Sequence, residues 1–315
     1  MRALRLHGRG DLRLEDVPEP SLGDGDVLLQ VDVALTDGTD LKAYRRGHPV
    51  LLGPPPSPFG HEVCGIDVAT GRRMVAANSA PCGACAACAR GQETLCEQLF
   101  PLLNGAYGEL LLVPERIART NLLPVPPGLA PESAAMAEPL ACCLHGVDVA
   151  RVRRGDIVAI VGLGPIGLML CACVADAGGH PVGVGSREER RALASSFGAS
   201  VADPEGADVV IEAAGTVEAW ERALELVRPG GTVLAFGGLP RDARVSVDPY
   251  RIHYEEVRLA GSFHHTPRQF RAALAFLASG AYPFERLVTH QVGLEGVAAL
   301  FDDPPRHYLK AAVRP

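Results

Sequence analysis

The sequence predicts an α/β protein that combines a doubly wound parallel sheet with a second, β-rich region. Two observations predict this class. From about residue 141, apolar runs of strand length alternate with helical patterns, and strands that are apolar throughout need cover on both faces. Before residue 141, the chain reads as short strands and loops. We therefore expect two domains, a number that the length of 315 residues also favours.

The composition excludes several classes of protein. A hydrophobic fraction of 47% excludes a disordered linker, although 35 glycines and 26 prolines indicate many loops. The formal net charge of −7 and the scattered arginines argue against a nucleic-acid partner. Because no uninterrupted apolar stretch follows Met1, we predict no signal peptide and expect a cytoplasmic protein.

The elements of the first region are short. We predict strands at residues 1–6, 11–17 and 26–35, the last because it is rich in valine and leucine. The prolines of residues 53–58 predict an extended loop. No pattern in this region predicts a long helix.

The second region reads as alternating strands and helices. The strands are predicted at residues 157–161, 181–184, 208–212, 231–236 and 257–259. The helices are predicted at residues 165–177, 188–197 and 217–227, with a final helix at 268–278. Pro229 and the two glycines after it are expected to end the third of these helices.

Residues 157–175 form an uncharged run of 19 residues, which is long enough for a membrane span. Three glycines and a proline inside the run favour a strand, a tight turn and a helix instead, so we predict no membrane partner.

The turn follows the pattern G-x-G-x-x-G between a strand and a helix, which is typical of dinucleotide binding. Its glycines allow a tight turn, close approach of a pyrophosphate and close helix packing, and the helix N-terminus supplies free N–H groups. A purely structural glycine turn is the alternative. The predicted cofactor contacts are Gly162, Gly164, Pro165, Ile166 and Gly167.

The next predicted strand ends at Gly185, Ser186 and Arg187, without the carboxylate that would bind the ribose of NAD. Arg187 can pair with a 2′-phosphate, and Ser186 can donate a hydrogen bond to it. We therefore expect NADP(H) to be preferred over NAD(H). The alternative is that Arg187 is a solvated residue at a helix start.

Four of the nine cysteines follow the spacing C-x2-C-x2-C-x7-C. Without a signal peptide, this pattern predicts a metal site rather than disulfides. Four thiolates can close a tetrahedral shell around one structural zinc ion, which fixes a loop and does no chemistry. An iron–sulfur cluster, or free thiols without metal, are the alternatives. The predicted ligands are Cys82, Cys85, Cys88 and Cys96.

The order of motifs resembles the zinc-dependent medium-chain alcohol and polyol dehydrogenases, including the sorbitol and glucose types. Residues 37–40 (Asp-Gly-Thr-Asp) resemble the family's Cys-Gly-Ser/Thr-Asp element, and residues 60–62 resemble its Gly-His-Glu. Residues 136–140 resemble the segment that carries its third metal-site position, and the cysteine loop and the glycine turn stand in the family's order. The resemblance implies a GroES-like catalytic domain (1–140 plus 267–315) and a Rossmann domain (141–266).

The resemblance also implies a catalytic metal. Its ligands would be Asp37, where the family usually has cysteine, His61, and either Glu62 or Glu138. Such an oxygen-rich shell is compatible with zinc but discriminates less against manganese or cobalt. Asp40 stands at the family's position for a residue that orients the His61 ring. Together with the structural site, this implies two zinc ions per chain.

The implied reaction is hydride transfer between NADP(H) and an alcohol, with a polyol or a sugar as the substrate class. Thr39 would accept the hydroxyl proton, and Asp40 and Glu62 are the other candidate catalytic residues. Many relatives complete the proton relay with a histidine where this chain has Lys42, so the exit of the proton is left open. A homodimer or homotetramer is expected. The alternatives are a zinc-free NADPH quinone or enone reductase and a nucleotide-binding relative that has lost catalysis.

Overall fold

The computed structural model describes residues 1–47, 52–202 and 204–315, which separate into two units. The first unit comprises Met1–Ala141 and Thr266–Pro315, and the second comprises Cys142–His265. In these described ranges, no helix is both long enough and apolar enough to cross a bilayer.

The strands of the described residues are numbered in chain order. They are β1 (Arg2–Gly8), β2 (Asp11–Asp16), β3 (Val27–Leu35), β4 (Ser57–Pro58), β5 (Glu62–Asp67), β6 (Arg73–Ala76), β7 (Leu110–Val113), β8 (Leu122–Pro124), β9 (Ile157–Val161), β10 (His180–Val184), β11 (Ser200–Val201), β12 (Ala207–Glu212), β13 (Val227–Ala235), β14 (Arg258–Gly261), β15 (Val288–Gly293) and β16 (Lys310–Arg314).

The helices follow the same convention. They are α1 (Gly38–Arg46), α2 (Ala86–Ala89), α3 (Glu115–Asn121), α4 (Pro131–Ala135), α5 (Ala137–Ala150), α6 (Pro165–Asp176), α7 (Glu188–Ala194), α8 (Val217–Leu226), α9 (Pro249–His253), α10 (Pro267–Ala278) and α11 (Val297–Asp302).

Strand β3 organises the first unit. Its sheet has the order β15-β16-β3-β5-β6-β8, with β7 also paired to β3, while β2, β1 and β4 form a smaller sheet. In register, Leu35 at the end of β3 lies opposite both Glu62 and Ala312. The segment after β3, the start of β5 and the start of β16 are therefore neighbours. Next to them, the buried rings of Phe59 and Tyr107 pack edge to face within the core of the unit.

The second unit is built on a parallel sheet with the order β11-β10-β9-β12-β13-β14. Counted along the unit, this is the order 3-2-1-4-5-6 of a dinucleotide-binding sheet. The strand order reverses between β9 and β12, and helix α6 follows the turn after β9. Ala159, Val210 and Val233 belong to the buried core formed by the central strands. The predicted α/β class with a doubly wound Rossmann sheet is confirmed.

The boundaries of several elements differ from the prediction. The 14-residue helix α5 was not predicted; it begins at Ala137 and runs across the predicted boundary at residue 141. Pro229 and the glycines after it do not end a helix, since α8 ends at Leu226 and β13 runs through them. Gly230 has a φ of 74°, and the register of β13 on β12 shifts between Ala207 and Val209, so the strand continues through an irregularity.

Candidate metal and cofactor sites

Asp37 follows β3 and forms the N-cap of α1. Its backbone is extended (φ −139°, ψ 177°). Its Oδ1 accepts a hydrogen bond from the Asp40 N–H at 2.8 Å, and Asp40 Oδ2 accepts one from the Asp37 N–H at 3.2 Å. This reciprocal arrangement is a capping box. The second carboxylate oxygen, Oδ2, lies on the side of His61.

His61 lies between two carboxylates. Its Nδ1 is hydrogen-bonded to Asp40 Oδ1 at 3.0 Å, and its Nε2 is 3.8 Å from Asp37 Oδ2. The Tyr107 hydroxyl donates to Asp40 Oδ2 at 2.5 Å, so Asp40 is itself held in place. Gly60 has a φ of 85°, and a Cβ there would lie 2.6 Å from the Tyr107 ring. Glycine before His61 is therefore required by the packing of this tyrosine.

Glu62 is fully buried and is paired with Lys310 on β16. The Lys310 ammonium donates to both oxygens of Glu62 at 2.6 Å and to the Thr36 carbonyl at 3.1 Å. Burial raises the pKa of Glu62 to about 8, whereas the charges of Glu62 and Asp37 outweigh burial and raise the pKa of Lys310. A raised pKa favours the neutral form of Glu62 but the charged form of Lys310, so the two shifts disagree about whether this is an ion pair. The three donated hydrogen bonds favour the ion pair, so we assign Lys310 as an ammonium and Glu62 as a carboxylate.

Burial opposes charge on both His61 and Asp37. For His61, the carboxylates of Asp40 and Asp37 outweigh burial and hold the pKa well above its usual value. For Asp37, burial is outweighed by the charges of His61 and Lys310 and by the hydrogen bond from Asp40, so its pKa is lowered. The group concentrates negative charge that a cation can balance.

A metal ion fits between Asp37 and His61. The separation of 3.8 Å between Oδ2 and Nε2 is too long for a hydrogen bond, but two metal–ligand bonds of about 2.0 Å can bridge it. When the ring is neutral, an Nδ1–H donated to Asp40 leaves the Nε2 lone pair for the metal. Glu62 places an oxygen within 4.8 Å of both donors, although Lys310 already engages both of its oxygens.

The other predicted residues of this site lie on two helices. Glu138 is in the first turn of α5 and is 5% exposed. It is outside the group formed by Asp37, His61 and Glu62, but its charge still acts on His61. Thr39, in the first turn of α1, hydrogen-bonds Asp37 through its side chain.

The four predicted cysteines form a second group in the first unit. Their Sγ atoms all lie within 4.8 Å of one another, and none of the nine cysteines forms a disulfide within the described residues. Backbone hydrogen bonds, from Ala84 and Cys85 to Cys82 and from Cys88 and Glu97 to Cys85, lower the pKa of Cys82 and bring that of Cys85 to about 6. Burial and neighbouring thiols raise the pKa of Cys88 to about 12. A cation is needed to hold all four as thiolates, which suits a structural zinc ion.

The glycine turn of the second unit has the geometry that a pyrophosphate site needs. Gly162 has a φ of 104°, and a Cβ there would lie 2.9 Å from Ala214. A Cβ on Gly167 would be 1.8 Å from the Gly162 carbonyl oxygen, so α6 and the turn pack too closely for any side chain. Gly164 is the N-cap of α6 and faces open space. A Cβ there would meet only Arg190 Nη1, at 4.0 Å. Pro165 and Ile166 then form the first turn of the helix.

A cavity of about 720 Å³ opens beside this turn. The predicted Gly185, Ser186 and Arg187 line it. Arginines that the prediction missed also line it. Among them, Arg190 is half-buried, and its burial together with the charge of the neighbouring Arg187 lowers the pKa of Arg190. The sequence holds a signal for these residues, because arginines three and four positions after Arg187 project from one side of a helix. The missed arginines are Arg190, Arg191 and Arg222.

Comparison with known proteins places the chain in a family. Residues 23–127 match the model of the alcohol dehydrogenase GroES-like domain, and residues 165–279 match that of the zinc-binding dehydrogenases. A D-altritol 5-dehydrogenase from Agrobacterium fabrum is 30% identical, with 97% of this chain and 96% of that protein covered. A sorbitol dehydrogenase from Halalkalibacterium halodurans is 28% identical, with 90% of each chain covered.

Solved structures agree with this result. The structure of a chain assigned as a zinc-binding dehydrogenase, from Sinorhizobium meliloti 1021 and bound to NADP, is 31% identical and has a TM-score of 0.90, with 100% of this chain and 99% of that chain covered. The alcohol dehydrogenase TADH from Thermus sp. ATN1 is 30% identical and has a TM-score of 0.85, with both chains fully covered. The resemblance seen in the motifs is confirmed, and the chain belongs to the zinc-type medium-chain alcohol dehydrogenases.

Proposed function

We propose that the protein transfers a hydride between a polyol or sugar and NADP(H) at a metal held in its first unit. The observation that carries the proposal is the group of Asp37, His61 and Glu62, whose donor atoms lie within 4.8 Å of one another. The relatives named sorbitol and D-altritol dehydrogenases support the polyol class. The catalytic domain is assigned to residues 1–140 with 267–315, and the cofactor domain to residues 141–266.

When bound, the metal supplies Lewis-acid activation of the substrate oxygen, and the nicotinamide supplies the hydride acceptor. Asp37 and His61 are the ligands that we assign to it, and Asp40 orients His61. Because Lys310 engages both oxygens of Glu62, we assign Glu62 to charge balance and keep Glu138 as the candidate third ligand. The oxygen-rich set is compatible with zinc and less selective against manganese or cobalt than a thiolate set.

Thr39 is the residue that we assign to accept the substrate's hydroxyl proton. Its hydroxyl lies in the first turn of α1 and is hydrogen-bonded to Asp37. Lys42 follows less than one turn later and is partly exposed, but a lysine ammonium has no lone pair to accept a proton, so the residue that carries the proton to solvent is left unassigned. The Thr39 hydroxyl can take up that proton only as it releases its own along a hydrogen-bonded path, because an acceptor must lie within hydrogen-bond reach, directly or through one water.

The cavity beside the glycine turn supports NADP(H) over NAD(H). Arg187 and Arg190 line it and can form charge-assisted hydrogen bonds to a 2′-phosphate. Replacing either with alanine is expected to lower the ratio of kcat/KM with NADP to kcat/KM with NAD by about 10- to 100-fold, since each such bond contributes about 1.5–3 kcal/mol. Arg228→Ala, which removes an arginine that pairs with Asp208 outside this cavity, is the control. An unchanged ratio in Arg187→Ala would refute the phosphate-binding role.

The activity is tested with a panel of alcohols, polyols and aldoses, each with NADP and with NAD, together with metal quantification. We expect polyol oxidation with NADP and two zinc ions per chain. His61→Ala should lose both the activity and one of the metals. Full alcohol oxidation by His61→Ala would rule out the catalytic-metal assignment, and a wild-type protein without metal would favour a zinc-free quinone or enone reductase.

The assembly that we propose is a homodimer or a homotetramer. Strand β14 lies at an edge of the parallel sheet, paired within the described residues only with β13. On and near this edge, Leu259 is 45% exposed and Tyr254 is 71% exposed. An exposed strand edge flanked by apolar side chains is a surface that a second copy can pair with. Light scattering of the purified protein tests this, and a monomer at micromolar concentration would contradict it.

The compartment that we propose is the cytoplasm. In the part of the chain that the structure describes, none of the nine cysteines forms a disulfide, and four of them converge on one site. Metal binding by thiolates is favoured where the cell keeps cysteines reduced.

A further inference from the structure

We propose that Asp37 does two things at once: its Oδ2 binds the catalytic metal while its Oδ1 caps helix α1. Metal loading and the folding of the first turn of α1 are then coupled. This inference rests on the metal site proposed above, and it adds a function that a cysteine at this position would supply only weakly.

The first argument is that the two oxygens of Asp37 have different partners. Oδ1 accepts the Asp40 N–H at 2.8 Å, which is a full hydrogen bond. Oδ2 lies 3.8 Å from His61 Nε2 and is the oxygen directed at the metal position. Neither interaction uses the atom that the other one needs.

The second argument is that aspartate is a strong N-cap and cysteine is not. Aspartate, asparagine and serine lead the N-cap preferences because a side-chain oxygen accepts from the first free N–H groups. The negative charge of Asp37 also suits the positive end of the helix dipole. A thiol accepts hydrogen bonds weakly, so a cysteine here would keep a metal ligand and cap the helix less strongly.

The third argument is that the cap and the metal ligands form a closed ring. Asp37 holds the backbone of Asp40, and the side chain of Asp40 holds His61. His61 and Asp37 then meet at the metal position. A metal therefore closes a ring that passes through the first turn of α1, the turn that also carries Thr39. By thermodynamic reciprocity, whatever stabilises this turn strengthens metal binding, and the metal stabilises the turn by the same factor.

The experiment separates the two functions with a matched pair of variants. Asp37→Ser keeps an oxygen for the cap but lacks a carboxylate for the metal, whereas Asp37→Cys keeps a metal ligand but has only a weak acceptor for the cap. Both side chains are small and formally neutral as introduced, so they share the loss of the buried charge. Hydrogen exchange of the Asp40 amide reports the cap, and competition of Co²⁺ with a chelator reports the metal affinity.

In metal-free protein, we expect the Asp40 amide to exchange about 5- to 10-fold faster in Asp37→Cys than in Asp37→Ser, as the loss of a cap implies. In Co²⁺ affinity the two variants should rank the other way: Asp37→Cys should bind the ion at least about 10-fold more tightly than Asp37→Ser. In the wild type, Co²⁺ should slow exchange of the Asp40 amide, and in Asp37→Cys it should slow it less.

Equal exchange of the Asp40 amide in the two metal-free variants would overturn the capping role. Unchanged exchange in the wild type on loading with Co²⁺ would overturn the coupling. If the wild type binds only the ion of the four-cysteine group, the proposed metal site itself fails, and the metal-free comparison still decides the cap. Asp37→Asn, which also keeps the cap and weakens the ligand, replaces Asp37→Ser if that variant does not fold.

Discussion

The four-cysteine group and the group around Asp37 are both sets of metal-ligating side chains, but different partners hold them in place. The sulfur atoms accept hydrogen bonds from backbone N–H groups of their own loop, for example from Ala84 and Gln98. The group around Asp37 is held by side chains from distant parts of the sequence, including Tyr107 and Lys310. A site held by its own backbone depends on local chain geometry, whereas a site held by side chains depends on the fold of the whole first unit.

The largest expected effect is the loss of a metal from the backbone-held site. In Cys88→Ser, the loop should lose its zinc ion, because structural zinc binding contributes on the order of 10 kcal/mol to the folding of small sites. We expect one metal per chain instead of two, and rapid proteolysis within residues 82–96. The measurements are metal quantification and limited proteolysis.

The control for this prediction comes from the other group. His61→Ala should also bind one metal per chain, but its cysteine loop should stay resistant to protease. If Cys88→Ser still binds two metals, or if His61→Ala exposes the loop to protease, the two groups are not independent in the way that their hydrogen bonds indicate.

The second prediction concerns Lys310, which neutralises Glu62 from across the sheet. Lys310→Met leaves a buried carboxylate without a partner, and breaking a buried ion pair in this way costs about 3–5 kcal/mol. The melting temperature of the metal-free protein should fall by roughly 6–20 °C, given about 2–4 °C per kcal/mol in a unit of this size. Thermal unfolding followed by circular dichroism measures the change.

The double variant Lys310→Met/Glu62→Gln tests the cause. Because the second substitution removes the unpaired charge, most of the lost stability should return. A double variant as unstable as Lys310→Met alone would mean that the lysine acts through packing rather than through its charge. The cysteine loop offers no comparable pair, since backbone groups supply its outer hydrogen bonds.

The same difference explains how much of each site the sequence could predict. The cysteine ligands lie within 15 residues, so their spacing alone predicted a metal site. Asp37 and His61 were found only through the resemblance to a family, because nothing in their spacing joins them. Lys310 and Tyr107 were missed, since their roles depend on strand register and on packing against Gly60. A lysine directly before the apolar residues 311–313 of β16 was the available signal for Lys310.

The fold shows the same division between local and long-range information. The glycine turn and the strands on either side of it were predicted because hydrophobic period and turn chemistry agree there. Helix α5 was missed because it is apolar on most sides and lacks the polar face that marks an exposed helix. The path of β13 through Pro229 was missed because pairing with its neighbours overrides the local preference of that segment.

The smallest expected effect comes from Tyr107, whose hydroxyl donates to Asp40 and to the Leu35 carbonyl and so acts on the metal site through Asp40. Tyr107→Phe removes the hydroxyl that donates to Asp40 Oδ2, so the carboxylate that orients His61 is held less firmly. We expect a loss of about 1–2 kcal/mol in stability and about a 10-fold fall in metal affinity. Tyr44→Phe is the matched control, because the Tyr44 hydroxyl donates to Asp302 at 2.7 Å in the same unit. Both variants should lose similar stability in thermal unfolding, but only Tyr107→Phe should bind Co²⁺ more weakly and alter its visible spectrum. Equal Co²⁺ affinity in the two variants would show that Tyr107 serves the core alone, and that the ring of side chains around the metal ends at Asp40.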